Sequence, residues 1–227
     1  MTITGISSMA TRAVLAELAA SYAQRTGRGV AIESVGGVDA AKRVQAGEQF
    51  DLVFLAADAI DKLIAAGHAL AGSRVDLVRS AVAIAVREGA LRPDVGSEAA
   101  VKQAVRAARS ISYSTGPSGV YLTKLFERWG IADEIRPRLV QAPPGVPVGS
   151  LVAGGEVELG FQQLSELMHL AGITVLGTLP PDIAFITTFS GAVCATTAQA
   201  DAVRELLAFL AAPEAAAAKR RHGMEPA

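Results

Sequence analysis

Four short stretches hold the side chains that could do chemistry. "ISSMATR" sets the hydroxyls of Ser7, Ser8 and Thr11 beside Arg12, where an apolar run gives way to a helical pattern. "SVGGVDAAKR" passes through Gly36, Gly37 and Val38, almost bare of side chains, to Asp39. "YSTGPSGVY" (Tyr113 to Tyr121) places Gly116, Pro117, Ser118 and Gly119 before another helical pattern, and "FQQLSE" ends on Gln162, Gln163 and Glu166. Each reads as a strand end entering a helix, where orphan backbone N–H groups and the positive end of the helix dipole favour an anion. The N–H groups of Ser118, Gly119 and Val120 are expected to cradle one carboxylate, and a glutamine amide can donate to or accept from a carboxylate or carbonyl. Glycines at 36 and 37 leave room for a bulky ligand close to the backbone.

For proton transfer the candidates are Ser8, Asp39, Tyr113 and Glu166, with Ser7 and Tyr121 as further hydroxyls. Glu166 suits the task if desolvation raises its pKa toward the working pH. Each feature also has a structural explanation. Ser8 or a neighbour can cap the first helix and Asp39 the second. Glu166 can serve as a first-turn glutamate. Alternation along a strand points only one of Gln162 and Gln163 toward a ligand. Lys42 and Arg43 read as a solvated helix face.

The elements that must position these residues alternate. "TITGIS" is a strand, Ala10 to Arg25 a helix ended by Gly27 and Gly29, "GVAIESV" a strand, "DAAKRVQAGE" a helix, "FDLVFLAA" a strand and "DAIDKLIAAG" a helix. That spacing predicts βαβ units and a mostly parallel sheet. After the strand "SAVAIAVRE" a second series starts: "SISYST", the helix "GVYLTKLFERWG", "RLVQAP", the helix "VGSLVAGGE", "LGFQQ", the helix "LSELMHLAG" and "ITVLGTL". "DIAFITTFSGAVCAT" leads back through strand to a helix over Gln199 to Ala211, and "PEAAAAKRRHGMEPA" is a last helix with a basic end. The expected fold is α/β: two lobes, residues 1–80 plus 189–227 and residues 81–188, each a mostly parallel sheet flanked by helices, joined twice as a hinged clamp with a central cleft.

Composition narrows the function. Lys plus Arg number 21 and Asp plus Glu 22, a balance with no global field for nucleic acid or an acidic membrane. No apolar run approaches the ~20 residues that span a bilayer, so no membrane insertion is expected. His68, His169 and His222 lack ligand spacing, so no metal site is assigned. No dinucleotide fingerprint, P-loop or nucleophile elbow is present, and no cofactor is expected. Cys194, the single cysteine, lies in the apolar run "GAVCAT" and reads as a small buried hydrophobe. The N-terminus shows no secretory signal; the expectation is a cytoplasmic protein if Met1 is the native start, and a periplasmic one if a signal peptide was removed.

The combined pattern resembles the type II solute-binding proteins, and within them the molybdate-binding branch, which also includes aconitate isomerase. "AVLAELAASYAQRTG", "AGEQFDLVFLAAD", "GPSGVYLTKLFERWGI", "GEVELGFQQLSE" and "AAAAKRRHGMEP" carry it over nearly the whole chain. The resemblance implies a small anionic ligand in the cleft between lobes. In molybdate binders, serine hydroxyls of two loops and a tyrosine surround the oxyanion. Those positions fall here at or near Ala10, on Gly36, Gly37 and Val38, and on Gln162 or Gln163, so most hydroxyl donors are replaced. A di- or tricarboxylate fits that exchange better than molybdate. Two readings follow: an isomerase that shifts a proton and double bond in a tricarboxylate such as aconitate, or an oxyanion-binding component of an ABC transporter, with a permease as partner only if the protein is exported.

Overall fold

The computed structural model describes all of residues 1–227, and the chain divides into two compact units. Unit one comprises Met1–Ser80 and Thr187–Ala227. Its first part runs β1 (Ile3–Ser8), α1 (Arg12–Thr26), β2 (Val30–Val35), α2 (Gly37–Gln45), β3 (Leu52–Ala56), α3 (Ala57–Ala65) and the start of β4 (Val75–Arg87). Unit two, Ala81–Ile186, takes the rest of β4 and adds α4 (Glu98–Ala107), β5 (Ile111–Tyr113), α5 (Pro117–Arg128), α6 (Ala132–Ile135) and β6 (Leu139–Gln141). It continues through α7 (Val148–Ala153), β7 (Leu159–Gln163), α8 (Leu164–Leu167) and β8 (Ile173–Thr178). β9 (Ile186–Val193) then leads back to unit one, which ends with α9 (Ala200–Ala211), α10 (Ala216–Arg221) and β10 (Glu225–Pro226).

In unit one the strand order is β2-β1-β3-β9-β4, with β2, β1 and β3 parallel and β9 antiparallel to β3. In unit two the order is β4-β7-β5-β6, with β7, β5 and β6 parallel and β4 antiparallel to β7. Each sheet is thus a parallel core closed on one side by an antiparallel strand. Parallel neighbours need a crossover, and helices supply it, which leaves both sheet faces covered. β3 is buried along its whole length for this reason. Leu52 and Phe54 face Leu15, Leu18, Leu206 and Leu207, whereas Val53 and Leu55 face Ala40, Val44, Ile60 and Leu63. Burial of one such Leu or Phe side chain contributes about 1.5–3 kcal/mol. The corresponding core of unit two joins Val82, Ile84, Ile111 and Phe161 to Val101, Leu122, Leu125 and Phe126.

Three elements depart from the sequence expectation. The helix expected over "LSELMHLAG" stops at Leu167, and the chain then turns, with Gly172 at φ 82°, into β8. The last helix is broken into a 3-10 turn, Pro213–Ala215, and α10; it ends where Gly223 takes φ 68°, and β10 then pairs antiparallel with β4. The amphipathic helix α4 was not among the expected elements.

Candidate functional site

β1 and β2 run in parallel register, which puts Ser7 opposite Ser34. Their hydroxyls meet at 2.8 Å, and Ser7 is completely buried. Successive strand side chains point to opposite faces, so Ser8 is turned away from that pair. Its Oγ is buried and has no hydrogen-bond partner. Ser8 occupies the N-cap position of the 3-10 turn Met9–Thr11 without making a side-chain cap bond, so the capping explanation fails for it. Its carbonyl, not its hydroxyl, is the busy group, accepting from Ser7 Oγ and Thr11 Oγ1 at 3.2 Å each. Thr11 is buried, beside Val14, Leu15, Phe54 and Lys219 in unit one. Arg12 is exposed.

The bare loop lies beside Ser8: a Cβ on Gly37 would stand 3.5 Å from Ser8 Cβ. Gly36, not Asp39, is the N-cap of α2, and Ala40 is the first residue whose N–H bonds back to it, at 2.9 Å. The N–H groups of Gly37, Val38 and Asp39 are therefore the orphan donors of this helix. Asp39 sits in the first turn, where a carboxylate suits the positive helix end. Arg43 does not reach toward this loop for an anion; it is held by Glu33 at 2.6 Å and by Glu48, with its guanidinium over the Phe50 ring. The donor set of unit one is one unpartnered hydroxyl and three backbone N–H groups.

The donor set of unit two centres on the entry to α5. A Cβ on Gly119 would lie 1.8 Å from Ser114 O and 3.0 Å from Tyr113 Cδ2, so only glycine lets the helix start this close to the end of β5. The tight start changes the donor count. The N–H groups of Gly119 and Val120 both donate to Gly116 O, at 3.0 and 3.2 Å, and Pro117 has none, which leaves the Ser118 N–H. The expected cradle of three N–H groups is thereby corrected to one. Hydroxyls make up part of the difference: Ser118 Oγ lies 3.1 Å from Ser114 Oγ, a partner the sequence reading did not single out. The Val120 side chain is exposed and Tyr113 is half-buried against the core. The Tyr121 hydroxyl is committed, donating to Ile183 O at 2.9 Å; its ring stacks on Phe185, and burial raises its pKa.

At the end of β7, Gly160 and Gln162 share the face toward α7, since a Cβ on Gly160 would run into Val152 and Val148. Gln162 and Gln163 are equally buried. The Gln162 amide is already committed. Its Oε1 accepts a long bond of 3.4 Å from the Gly149 N–H, and its Nε2 donates to Glu166 Oε1 at 2.8 Å. Glu166 is half-buried, and burial pushes its carboxyl up to about 7, against a smaller lowering by the Gln162 amide. No group of three or more His, Cys, Asp or Glu side chains is placed to hold a metal ion. Cys194 is buried, and burial together with the Asp51 carboxylate pushes its thiol up to about 12, so it stays protonated and inert.

Two α/β units, each with parallel strands whose carboxyl ends feed helix-start donor sets, define the type II periplasmic-binding-protein fold. The chain belongs to the bacterial extracellular solute-binding protein family, which it matches over residues 3–225. It is 38% identical over 231 aligned residues to an aconitate isomerase from a Pseudomonas species, covering 99% of this chain and 88% of that one. Among solved structures it is similar to the periplasmic molybdate-binding protein of Azotobacter vinelandii, with a TM-score of 0.81, 22% identity and 98% of each chain covered. The sulfate-binding protein SubI of Mycobacterium tuberculosis also gives a TM-score of 0.81, at 17% identity over 100% of this chain and 87% of that one. These two likenesses speak to the fold. No helix is long and apolar enough to cross a membrane.

Proposed function

We propose that the protein binds a small tricarboxylate and interconverts its double-bond isomers, with aconitate as the substrate. The observation that carries this reading is the 38% identity to aconitate isomerase, which extends over 99% of the chain. The donor sets support it. Each can hold one carboxylate: Ser8 Oγ with the N–H groups of Gly37, Val38 and Asp39, and the Ser118 N–H with the hydroxyls of Ser114 and Ser118. Hydrogen bonds to an ionised acceptor are stronger than neutral ones, so few donors suffice.

The reaction balances without an oxidant or reductant. One proton leaves the methylene carbon, and the C–H electron pair forms the new carbon–carbon double bond. The electrons of the old double bond take up one proton at the former vinylic carbon. The neighbouring carboxylates spread the charge that develops between the two steps. The test is proton NMR of cis-aconitate incubated with the purified protein, alongside thermal unfolding with aconitate, citrate, molybdate and sulfate. A ligand that binds only the folded state raises its stability with the logarithm of its saturation. Conversion to trans-aconitate is the expected result. Stabilisation by molybdate or sulfate alone, with no conversion, would replace this reading by oxyanion binding.

A further inference from the structure

Glu166 stands apart from the other acidic residues. Every other carboxylate with a displaced pKa (Glu17, Glu33, Glu48, Asp51, Asp76 and Glu98) is displaced downward, by hydrogen bonds with arginine or with imidazole, hydroxyl, amide, indole or backbone groups. The Glu166 shift has two causes, burial and the Gln162 amide, and no charged group is among them. The elements against α8 are α7, through Leu167 and Gly149, then β7 and β8, and the Ala83–Ala85 stretch of β4. The sequences of α7 (VGSLVA), β7 (LGFQQ) and β8 (ITVLGT) contain no ionisable side chain. On β4 the guanidinium of Arg87 lies against Gly155, and His169, beyond the end of α8, is exposed.

What Glu166 has instead is an oriented amide. Because the Gly149 N–H bonds to Gln162 Oε1, the Gln162 Nε2 is turned toward Glu166 Oε1. That bond fixes one carboxyl oxygen as an acceptor and leaves Oε2 to carry or receive a proton. We propose that Glu166 takes the proton from the allylic carbon of the ligand and returns it at the far carbon, with Gln162 as the positioning residue that holds its carboxyl. The inference rests on the isomerase reading above. One group can do both steps only if its two protonation states are close in free energy, and a carboxyl raised to about 7 meets that condition at neutral pH. The proton removed first resides on Oε2 and is the one delivered, so the carboxylate is regenerated in each turnover.

The experiment compares the full-length protein with Glu166→Gln and Gln162→Ala, using cis-aconitate as the probe. Expected for Glu166→Gln is aconitate binding within about threefold of the unsubstituted protein, with kcat lower by ~10²-fold or more, the scale of general acid–base catalysis. Gln162→Ala is expected to lower kcat with little change in KM. It should also move the acidic limb of the kcat profile to higher pH, because the amide bond that lowers the Glu166 pKa is lost. A purely structural role for Gln162 would not move that limb. If the unsubstituted protein converts aconitate and Glu166→Gln does so at a similar rate, this inference is overturned while the isomerase reading stands. If the unsubstituted protein converts none, both fall. Should Glu166→Gln fail to fold, an unmoved pH limb in Gln162→Ala would overturn the inference.

Discussion

Replacement of Ser8 by alanine is expected to stabilise the ligand-free protein and weaken the liganded one. Ser8 is only 7% exposed, and its Oγ is buried with no hydrogen-bond partner. A buried polar group left unsatisfied costs about 1–3 kcal/mol. Alanine keeps the Cβ, loses no cap bond, and leaves the Ser7–Ser34 pair intact. The ligand-free variant should therefore gain about 1–3 kcal/mol, at roughly 2–4 °C of Tm per kcal/mol for a chain of this size. With a carboxylate ligand the sign reverses. A hydrogen bond to a charged acceptor contributes about 1.5–3 kcal/mol net, so its loss should raise Kd by roughly 10- to 150-fold. Urea unfolding without ligand and calorimetric titration with aconitate measure the two effects separately. A variant less stable than the parent without ligand, or one with unchanged affinity, would refute the assignment of Ser8 Oγ as a donor held for a ligand.

Gly119→Ala puts a methyl group 1.8 Å from Ser114 O; the end of β5 must move, at a cost of about 1–3 kcal/mol or more in urea unfolding, and ligand-induced stabilisation should be lost with it. Glu166 gives a pH dependence of defined sign. Its folded-state pKa is raised from 4.5 to about 7, so its contribution is fully present below pH ~4.5 and is lost as pH rises to ~7, on the order of 3 kcal/mol in all. The stability difference between Glu166→Gln and the parent should accordingly open over that window, with the variant more stable at pH 8; a pH-independent difference would contradict the enclosure of the carboxyl. Cys194 should resist a thiol reagent at pH 8 in the native protein and react fully in guanidinium, as its burial and raised pKa require.

The alternation of strands and helices was legible because each element carries its own period, and the long resemblance reinforced it. The helix α4 was equally legible, since Ser97 caps it and Val101, Ala104 and Val105 share one face, yet it went unpredicted. The strand ends that would serve a ligand could be found as loops, but which group in each loop is free could not. Ser7 and Ser8 are chemically identical in sequence, and only the register with β2 gives Ser34 to the first and leaves the second without a partner. Gly119 and Val120 spend their N–H groups on Gly116 O because the start of α5 is tight, a fact of φ and ψ rather than of residue type. Glu166 was named as a possible carrier from its place after β7. The Gly149–Gln162–Glu166 chain behind it needed α7 brought alongside α8, a contact between segments distant in sequence.

The return of the chain to unit one sets an order on its making. β9 sits between β3 and β4, and α9 and α10 bring Val203, Leu206, Leu207, Leu210 and Ala218 to the same core as Leu15 and Phe54. Residues 1–80 are synthesised before unit two, yet the strand that closes their sheet arrives only after the contiguous unit two has been made. At roughly 5–20 residues per second that interval is on the order of ten seconds. During it, β3 has an unpaired edge and an uncovered apolar face, while residues 81–186 already hold everything their own core requires. Unit two is thus contiguous in the chain and its core self-contained, whereas the sheet of residues 1–80 is completed only by β9, α9 and α10.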